Sequence, residues 1–389
     1  MPTFPSTASV VIVGGGVMGA STAYHLAALG VKDVVLLERE AFFGLGATGR
    51  CAGGIRYQFA TDINIRLSQL SLPMLDALED TTGQPALVRK CGYLFVLTRP
   101  EDEAQFRRNV ARQHALGVPT EWLTGDEVRR RCAPALFPDA LSGTFCALDG
   151  LADPNSVVMG YINAARRLGA ACLTGVSVTG LTVEAGRVTG VTTDQGHLAT
   201  PIVVNAAGPW SAPLAALAGL ELPVTPIRRQ WLTTTPLPEI PPDFPFIIDF
   251  ARSLYFHREG EGLLTGMSNP AEPAGFDQRV DPDWELTHLE AAIERLPLLE
   301  RAGINSRWAG LYEVTPDAHP ILGASPVAGL YLVTGFSGHG FMHGPICGQL
   351  MAELITTGRA TTLDVSSLAL SRFAEGRAIH DDSVEYNVV

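Results

Sequence analysis

A glycine-rich turn near the amino terminus constrains the fold more than any other feature of the sequence. Val10–Val13 is a β-branched apolar run of the kind that forms a buried parallel strand. It leads into Gly14–Gly19, whose glycines are spaced G-x-G-x-x-G, and then into a predicted helix over Ala20–Leu29 with Gly30 as its stop. This order of strand, glycine turn and helix is typical of the first unit of a dinucleotide-binding α/β fold.

The same unit has an acidic residue where such a fold uses one. A second apolar run, Val34–Leu37, ends at Glu38, whose carboxylate can accept hydrogen bonds from ribose hydroxyls. Gly14 permits the tight turn, Gly16 lets the backbone approach a pyrophosphate at the positive end of the helix, and Gly19 allows close helix packing. The pattern predicts a bound dinucleotide rather than a glycine turn without a ligand. Glu38 disfavours NADP because a carboxylate repels the 2′-phosphate.

Composition argues against several other classes of protein. The 389 residues include 28 basic and 40 acidic ones, and the resulting net charge of -12 argues against a nucleic-acid binder. None of the six cysteines forms a C-x-x-C pair, so structural zinc and iron–sulfur clusters are not expected. His339 and His343 are four residues apart, but no third metal ligand lies near them in the sequence. No metal is predicted, and reduced thiols suit a cytoplasmic protein.

The stretch from Val10 to Val31 could be mistaken for a membrane span. It contains no charged residue and is long enough to cross a bilayer. However, it includes five glycines and several polar residues, and the first charged side chain of the chain is Lys32. The basic start of a signal peptide is therefore missing, and we expect no membrane span.

The order of local signals predicts two domains that alternate along the chain. Buried-strand runs recur at Ile202–Ala206 and Leu330–Thr334, whereas prolines cluster from Pro223 to Pro245 in what we interpret as an extended, edge-like domain crossing. Other predicted elements are a strand at Tyr93–Leu97, a hairpin of Val176–Val183 and Val188–Thr193 around Gly186–Arg187, and helices at Leu72–Leu78, Glu101–Leu116, Pro154–Leu168, Thr287–Leu296 and from near Met342 through Ile355. The predicted α/β fold is a discontinuous Rossmann-type nucleotide-binding domain, 1–85, 145–222 and 315–389, with an inserted antiparallel-sheet domain, 86–144 and 223–314.

Six motifs resemble the signatures of one family. They are Gly14–Gly19 with Glu38, Gly46–Arg50, Gly53–Arg56, Val204–Ser211, Thr315–Gly323 and Gly335–Phe341. In this order, and over nearly the whole chain, they are similar to the flavin-binding motifs of the D-amino-acid oxidase superfamily. Within it the chain resembles monomeric sarcosine oxidases, glycine oxidases and the β subunits of heteromeric L-proline dehydrogenases. The resemblance implies that the dinucleotide is FAD and that the inserted sheet belongs to a substrate domain.

The resemblance also implies which residues bind FAD. Thr48 would donate its hydroxyl to the pyrophosphate, the strand backbone at Val176 would hold the adenine, and main-chain N–H groups at Gly338 and Gly340 would face the flavin. A tight loop without a ligand is the alternative for the last two. The implied cofactor-binding residues are Gly14, Gly16, Val17, Met18, Gly19, Glu38, Arg39, Gly46, Ala47, Thr48, Gly53, Gly54, Val176, Ala206, Ala207, Gly208, Trp210, Gly310, Gly335, Phe336, Ser337, Gly338, His339, Gly340, Phe341 and Met342.

For the substrate, the resemblance points to one arginine and two tyrosines. Arg56 matches the arginine that binds the substrate carboxylate in sarcosine oxidases, and a guanidinium can pair with a carboxylate through two hydrogen bonds. Tyr255 and Tyr312 match tyrosines over the substrate pocket, and Arg258 and Arg307 are weaker candidates. The alternatives are a solvated arginine and tyrosines that pack in the core.

Three positions depart from sarcosine oxidase. Gly310 replaces the cysteine that holds its flavin covalently, and Met342 replaces its second carboxylate-binding lysine. Leu264 lies in the strand that supplies its oxygen-activating lysine. We therefore expect non-covalent FAD and slow use of oxygen.

Together these features predict an FAD-dependent oxidoreductase that oxidises the Cα–N bond of a small amino acid or N-alkyl amino acid of the sarcosine, glycine or proline type. In this hypothesis the neutral amine gives a hydride to flavin N5, and water hydrolyses the imine. The electron acceptor would be oxygen, a quinone or a partner flavoprotein subunit. The alternatives are a 2-hydroxy-acid or glycerol-3-phosphate oxidoreductase on the same fold, or a non-catalytic flavoprotein that helps assemble larger complexes.

Overall fold

The computed structural model describes residues 4–379; the remaining residues, 1–3 and 380–389, both within the predicted FAD-binding domain, lie outside the described part. Its strands are β1 Val10–Val13, β2 Val34–Leu37, β3 Gly54–Ile55, β4 Tyr93–Leu97, β5 Glu121–Thr124, β6 Ser142–Cys146, β7 Gly150–Leu151, β8 Ala171–Leu173, β9 Val178–Glu184, β10 Arg187–Thr193, β11 Gly196–Ala199, β12 Val203–Asn205, β13 Thr225–Thr234, β14 Phe246–Asp249, β15 Leu254–Glu259, β16 Gly262–Met267, β17 Ile304–Val314, β18 Ile321–Ala324 and β19 Leu330–Thr334. Its α-helices are α1 Val17–Ala28, α2 Asp62–Asp76, α3 Leu78–Thr82, α4 Pro100–Ala115, α5 Gly125–Arg131, α6 Pro154–Arg167, α7 Ser211–Ala216, α8 Pro282–Arg295, α9 Gly340–Thr357 and α10 Ser371–Ala374. Short 3-10 helices lie at Thr48–Arg50, Gly208–Trp210, Phe250–Arg252, Pro297–Arg301 and Ser366–Leu368.

Six strands form the sheet that holds the glycine turn, in the order β18–β19–β12–β1–β2–β8. All neighbouring pairs are parallel except β18 with β19. Val10 and Ile12 point to one core with α1, α6 and α9, and Val11 and Val13 point to another with the three-stranded sheet β11–β10–β9. Because both faces are covered, the strands are apolar throughout, and the predicted Rossmann-type fold is confirmed.

The apolar stretch from Val10 to Val31 is a strand followed by a short helix. α1 has 12 residues and begins at Val17, three residues earlier than predicted, because Val17, Met18 and Gly19 of the turn are already helical. Gly30 follows it with a φ of +85°, as a glycine that ends a helix does. Within residues 4–379, no helix is both long enough and apolar enough to cross a membrane.

A second large sheet has eight strands, in the order β17–β13–β16–β15–β14–β4–β6–β5. Its pairs are antiparallel except β14 with β4, which brings together segments far apart in the sequence. One face carries an aromatic cluster that includes Tyr93, Trp231 and Tyr255. The other face packs Leu94 and Phe256 in a core that also holds residues of α8. The aromatic face is the one that borders the site described below.

Proline placement in this sheet differs from the prediction. We expected extended, edge-like segments between Pro223 and Pro245, but β13 lies inside the sheet between β17 and β16. It pairs with β17 along its whole length and with β16 only at Trp231–Thr233. Pro226 lies in the part that has β17 alone as its strand partner, where a missing N–H costs no second ladder bond.

Most predicted helices and strands are present with shifted ends. β4 and β19 match the prediction, and β10 begins one residue earlier than predicted, at Arg187. α6 begins at Pro154 after Asp153, whose side chain accepts a hydrogen bond from the Ser156 N–H at 2.6 Å. The helix predicted at Leu72–Leu78 covers only the last five residues of α2 and the first residue of α3, because its apolar residues lie across the break between these two helices. α8 begins five residues earlier than predicted, because Asp281 caps it by accepting from two N–H groups and Pro282 occupies its first position.

A buried ion pair ties the end of the described chain to the six-stranded sheet. The guanidinium of Arg372 lies 2.8 Å from the Asp317 carboxylate, and both side chains are fully buried. Asp317 belongs to one of the six family-like motifs. Its carboxylate is occupied by this structural contact, so we assign it no chemistry.

Candidate active site

A cavity of about 400 Å³ lies at the carboxyl ends of β1, β2 and β12 and extends to the eight-stranded sheet. Parallel strands of an open α/β sheet end at the edge where such folds bind ligands. The glycine turn forms one wall of the cavity, and Tyr312 of β17 forms part of the opposite wall. The cavity therefore lies between the two sheets.

The glycine turn is shaped by close backbone contacts. Gly14 has a φ of +115°, and a Cβ there would overlap the carbonyl oxygen of Ala206. A Cβ on Gly19 would overlap the carbonyl oxygen of Gly14, which is the close helix packing that the motif predicts. A Cβ on Gly16 would project into the cavity wall, 3.0 Å from the Thr48 hydroxyl oxygen. A pyrophosphate-sized group can approach this backbone only because these positions lack side chains.

Two polar side chains are held in place beside the turn. The Glu38 carboxylate accepts hydrogen bonds from the Gly15 N–H at 2.7 Å and the Glu40 N–H at 2.9 Å. The Thr48 hydroxyl accepts from the Val17 N–H at 3.1 Å. Each carboxylate oxygen of Glu38 can still accept another bond, and the Thr48 hydrogen is left to donate. These are the contacts that a ribose and a pyrophosphate require.

The loop between β19 and α9 closes the far end of the cavity. Gly338 has a φ of +102°, and a Cβ there would overlap the Tyr312 ring. The Ser337 hydroxyl accepts from the Thr315 N–H at 3.2 Å, so it braces the loop instead of facing the cavity. Glu313 lines the cavity, and burial raises the pKa of its carboxyl to about 7.

The cavity brings together most of the residues predicted to bind the cofactor. Those that line it are Gly14, Gly16, Val17, Met18, Glu38, Arg39, Gly46, Ala47, Thr48, Val176, Ala206, Ala207, Gly208, Trp210, Gly310, Phe336, Gly338, Gly340 and Phe341. Gly53, Gly54, His339 and Met342 instead line a second, adjoining cavity. Gly19, Gly335 and Ser337 line neither and shape the backbone nearby. An elongated, glycine-lined cavity with Glu38 and Thr48 on one wall fits a flavin dinucleotide.

The second cavity has a volume of about 60 Å³ and continues from the first. The two share the lining residues Cys51, Trp231, Tyr312, Gly338 and Phe341. The residues that line only the second cavity are Ala52, Gly53, Gly54, Arg56, Tyr93, Phe246, Ile248, Tyr255, His339 and Met342. All three residues predicted for substrate contact are thus brought together.

Arg56 is the one permanently charged residue among those that line the second cavity. It is only 2% exposed, and its Nη1 atom has no hydrogen-bond partner within residues 4–379. Its guanidinium lies over the rings of Phe59 and Phe95, 4.4 and 5.3 Å from their centroids. Burial lowers its pKa, but an arginine stays protonated in proteins. The alternative of a solvated arginine is therefore wrong.

The two tyrosines keep their protons in this environment. Burial raises the pKa of Tyr312, and it raises that of Tyr255 well above the ordinary value. The Tyr255 hydroxyl accepts a hydrogen bond from the Trp231 indole N–H, which leaves its own hydrogen available to donate. Both side chains combine an aromatic wall with a polar end.

Two weaker candidates lie away from the cavity. Arg258 donates to the carbonyl groups of Gly260 and Ile240, and Arg307 forms an ion pair with Glu285 at 2.9 Å. Neither lines either cavity. Both lie on strands that contribute other cavity residues. Because side chains alternate between the two faces of a strand, membership of such a strand does not show whether a side chain reaches the pocket.

Leu264 also lies elsewhere than expected. It is buried in the aromatic cluster and lines neither cavity. Two residues further along the same face of β16 is Gly266, where a Cβ would lie 2.6 Å from the Tyr255 hydroxyl and 2.7 Å from a Trp231 ring carbon. Neither position supplies a cation.

Several lining residues had no sequence signal. Trp231, Tyr93 and Phe246 belong to three strands of the eight-stranded sheet and to no recognisable motif. Only the pairing of β14 with β4 places Phe246 beside Tyr93, with ring centroids 4.2 Å apart. Among residues 4–379 no group of three histidine, cysteine or acidic side chains is placed to hold a metal ion.

Comparison with known proteins agrees with this geometry. A family described as FAD dependent oxidoreductase matches residues 9–354. Mitochondrial sarcosine dehydrogenase of Mus musculus is 32% identical over 97% of this chain, which spans only 42% of that protein. L-proline dehydrogenase from P. horikoshii is 31% identical with a TM-score of 0.89, covering 96% of this chain and 99% of that one. Glycine oxidase from Geobacillus kaustophilus is 26% identical with a TM-score of 0.83, covering 94% and 98%. The chain thus spans less than half the length of the sarcosine dehydrogenase that it matches.

Proposed function

Because the chain belongs to the family of FAD-dependent oxidoreductases, we propose that it oxidises the Cα–N bond of a small amino acid or N-alkyl amino acid. FAD is its cofactor, and it supplies the hydride acceptor for this oxidation. We place it, bound without a covalent link, in the 400 Å³ cavity. Gly310 has no side chain that could form a covalent bond with the flavin.

The observation that carries the proposal is the unpaired charge of Arg56 beside the cofactor cavity. Within the described part of the chain, no carboxylate forms an ion pair with this guanidinium, although it is almost fully buried. A buried charge needs a partner, and a substrate carboxylate can make two parallel hydrogen bonds with a guanidinium. Anchoring the carboxylate there would hold Cα close to the shared wall of the two cavities.

The rest of the cavity suits a small amine. Aromatic rings from Tyr93, Trp231, Phe246, Tyr255 and Tyr312 surround the space next to Arg56. Such rings offer an apolar surface to an N-methyl group or a pyrrolidine ring and bring no ionised side chain next to the amine. The small volume favours substrates of the sarcosine, glycine or proline type.

The lining also bears on the reaction. No carboxylate lines the second cavity, and the phenols stay protonated because burial raises the pKa values of Tyr255 and Tyr312. An amine held there has no anion to keep it charged, which favours the neutral form that can lose hydride from Cα. The imine product would then be hydrolysed by water. A glycerol phosphate substrate is disfavoured because a dianion calls for more than one cation.

An anaerobic substrate panel tests the proposal. The holoenzyme is mixed with sarcosine, glycine, L-proline, L-lactate and glycerol 3-phosphate, and the flavin absorbance is followed. We expect bleaching by at least one amino acid. Bleaching by lactate or glycerol 3-phosphate alone, or by no compound, would overturn the proposal. Acid precipitation of the same protein should release FAD into the supernatant.

A further inference from the structure

A buried carboxyl group is hydrogen bonded to the two residues that follow Arg56, and the proposed reaction does not use it. Asp149 is fully buried in the turn that follows β6. Its carboxylate accepts a hydrogen bond from the Tyr57 N–H at 2.6 Å and another from the Gln58 side-chain amide at 2.9 Å. These are the two residues after Arg56. Asp149 therefore fixes the segment that carries the substrate-binding guanidinium.

The hydrogen bonds of Asp149 also reach Tyr93, a second residue that lines the substrate cavity. The Gln58 amide that donates to Asp149 also donates to the carbonyl oxygen of Tyr93 at 3.1 Å. The backbone carbonyl of Asp149 accepts from the Gly92 N–H at 2.9 Å. Through these bonds one acidic residue links the Arg56 segment with the start of β4. An asparagine side chain could make part of this network. The geometry of the hydrogen bonds therefore does not by itself explain why an acidic residue occupies this position.

We infer that Asp149 is a positioning residue for Arg56 and that, when ionised, it competes with the substrate carboxylate for the charge of Arg56. The inference rests on the proposed function, in which Arg56 binds that carboxylate. The two side chains do not form an ion pair within the described residues, so the guanidinium stays available. Their charges nevertheless interact through a buried, weakly screened region.

The surroundings make Asp149 the group that changes charge near neutral pH. Burial raises the pKa of its carboxyl to about 7, against the lowering effects of its hydrogen bonds with Tyr57, Gln58 and the Cys146 thiol and of the charge of Arg56. The titratable and charged groups that face it are Arg56, Tyr57, Cys91, Tyr93 and Cys146. Burial raises the pKa values of Tyr57 and Cys146 to about 12 and also raises those of the other thiol and phenol. None of these neighbours therefore gains or loses a charge with Asp149.

The direction of the effect follows from these charges. Below about pH 7 Asp149 is neutral, and Arg56 attracts the substrate carboxylate without opposition. Above that pH the ionised Asp149 offsets part of the attraction, so carboxylate affinity falls. Because the coupling is reciprocal, a bound carboxylate should in turn promote protonation of Asp149. Binding at neutral pH is then accompanied by proton uptake.

Acetate is a suitable probe because it cannot be oxidised as an amine and stays ionised in the relevant pH range. The FAD-loaded protein is titrated with acetate at about pH 6 and about pH 8.5, and binding is read from the flavin spectrum. We expect the dissociation constant to rise about tenfold, which corresponds to a coupling of about one pKa unit. Asp149→Asn should remove this dependence, and because an amide has one acceptor oxygen for the two N–H donors, it should also weaken binding at the lower pH. Asp80→Asn, at an exposed position of α3, serves as the control and should behave like the unmodified protein.

Three outcomes would overturn the inference: an acetate affinity independent of pH, a pH dependence that persists in Asp149→Asn, or an equal weakening by that variant at both pH values. The last result would mean a purely structural role. If the variant does not fold, acetate binding to the unmodified protein is measured by calorimetry near pH 7 in two buffers of different ionisation enthalpy. The difference between the two binding enthalpies gives the number of protons taken up, and absence of proton uptake contradicts the inference. Failure of the proposed function is a separate result: no amine would bleach the flavin, whatever the pH dependence of acetate binding.

Discussion

At the scale of single residues, Arg56 shows how a buried cation can be kept unpaired. The rings of Phe59 and Phe95 lie against its guanidinium, and aromatic faces attract a cation without neutralising it. A carboxylate in the same place would have formed a permanent ion pair and left nothing for a substrate. The aromatic contacts therefore stabilise the charge and keep its hydrogen-bonding edge free.

Removing this charge should weaken substrate binding and little else. We expect Arg56→Ala to reduce amino-acid binding by about 2–5 kcal/mol, the usual effect of truncating one partner of a buried charge pair. KM from steady-state kinetics with a dye acceptor measures it, and the FAD content should stay normal. Arg258→Ala is the control, because Arg258 lies outside the cavity. An unchanged KM in Arg56→Ala would show that the carboxylate binds elsewhere.

Glu313 should make stability depend on pH. Burial raises the pKa of its carboxyl from its ordinary value to about 7, so the folded protein holds a proton that the unfolded chain has lost. Unfolding then becomes easier as pH rises from about 4.5 to about 7, by up to about 1.4 kcal/mol per pH unit. Glu313→Gln removes this contribution. Urea denaturation at about pH 5 and about pH 8 should show the variant gaining stability relative to the unmodified protein at the higher pH. A difference that is the same at both pH values would contradict the assignment.

At the scale of secondary structure elements, the glycine turn and α1 act as one unit. Gly16 precedes the first helical residue, and the Thr48 hydroxyl that accepts from the helix N–H group lies next to it. A side chain at this point meets both the cavity and Thr48. In our proposal this element binds a dinucleotide through its backbone, so its function depends on the absence of a side chain at Gly16.

Gly16→Val should therefore abolish FAD binding. Its Cβ would start 3.0 Å from the Thr48 oxygen, and the methyl groups would fill the space next to the turn. The flavin-to-protein absorbance ratio after purification is the measurement. Gly275→Val is a matched control, because a Cβ there meets nothing within 4 Å. A fully flavin-loaded Gly16→Val protein would refute the assigned role of the turn.

Elements also show what sequence could and could not predict. Buried parallel strands such as β1 and β19 are continuous apolar runs, so they were found within a residue or so. α2 was missed over its first turns, where polar and apolar residues alternate without a clear period. The motifs located most of the cofactor cavity because each motif is a local backbone shape. Phe246 and Trp231 were missed because they reach the site through pairing between strands distant in the sequence, which no local pattern encodes.

At the scale of the whole molecule, the candidate site lies where the two large sheets meet. Tyr312 and Trp231 of the eight-stranded sheet line both cavities, and the glycine turn of the six-stranded sheet faces them. The substrate cavity holds one permanent cation, and that cation is committed to the carboxylate in our proposal. An oxygen molecule that receives a first electron becomes an anion, and nothing in β16 offers it a positive charge.

We therefore expect the substrate-reduced enzyme to react slowly with oxygen and rapidly with a dye acceptor. A nearby cation is worth several kcal/mol to a developing superoxide in a low-dielectric site, and both Leu264 and Gly266 are uncharged. A quinone or a partner flavoprotein would then be the natural acceptor. Stopped-flow mixing of the reduced enzyme with air-saturated buffer decides the matter. Reoxidation faster than turnover would make the protein an oxidase.

The order of strands in the sheet also determines when each part of the cavity can form during translation. β1 can pair with β2 as soon as Leu37 has been made, but its other neighbour, β12, exists only once translation has passed Asn205. The loop that closes the cavity at Gly340 comes later still. Contacts between such distant segments form slowly, because closing the intervening chain costs entropy before pairing compensates for it. A nascent chain thus contains its complete nucleotide fingerprint, Gly14 to Glu38, before the segments that complete the cavity have been made.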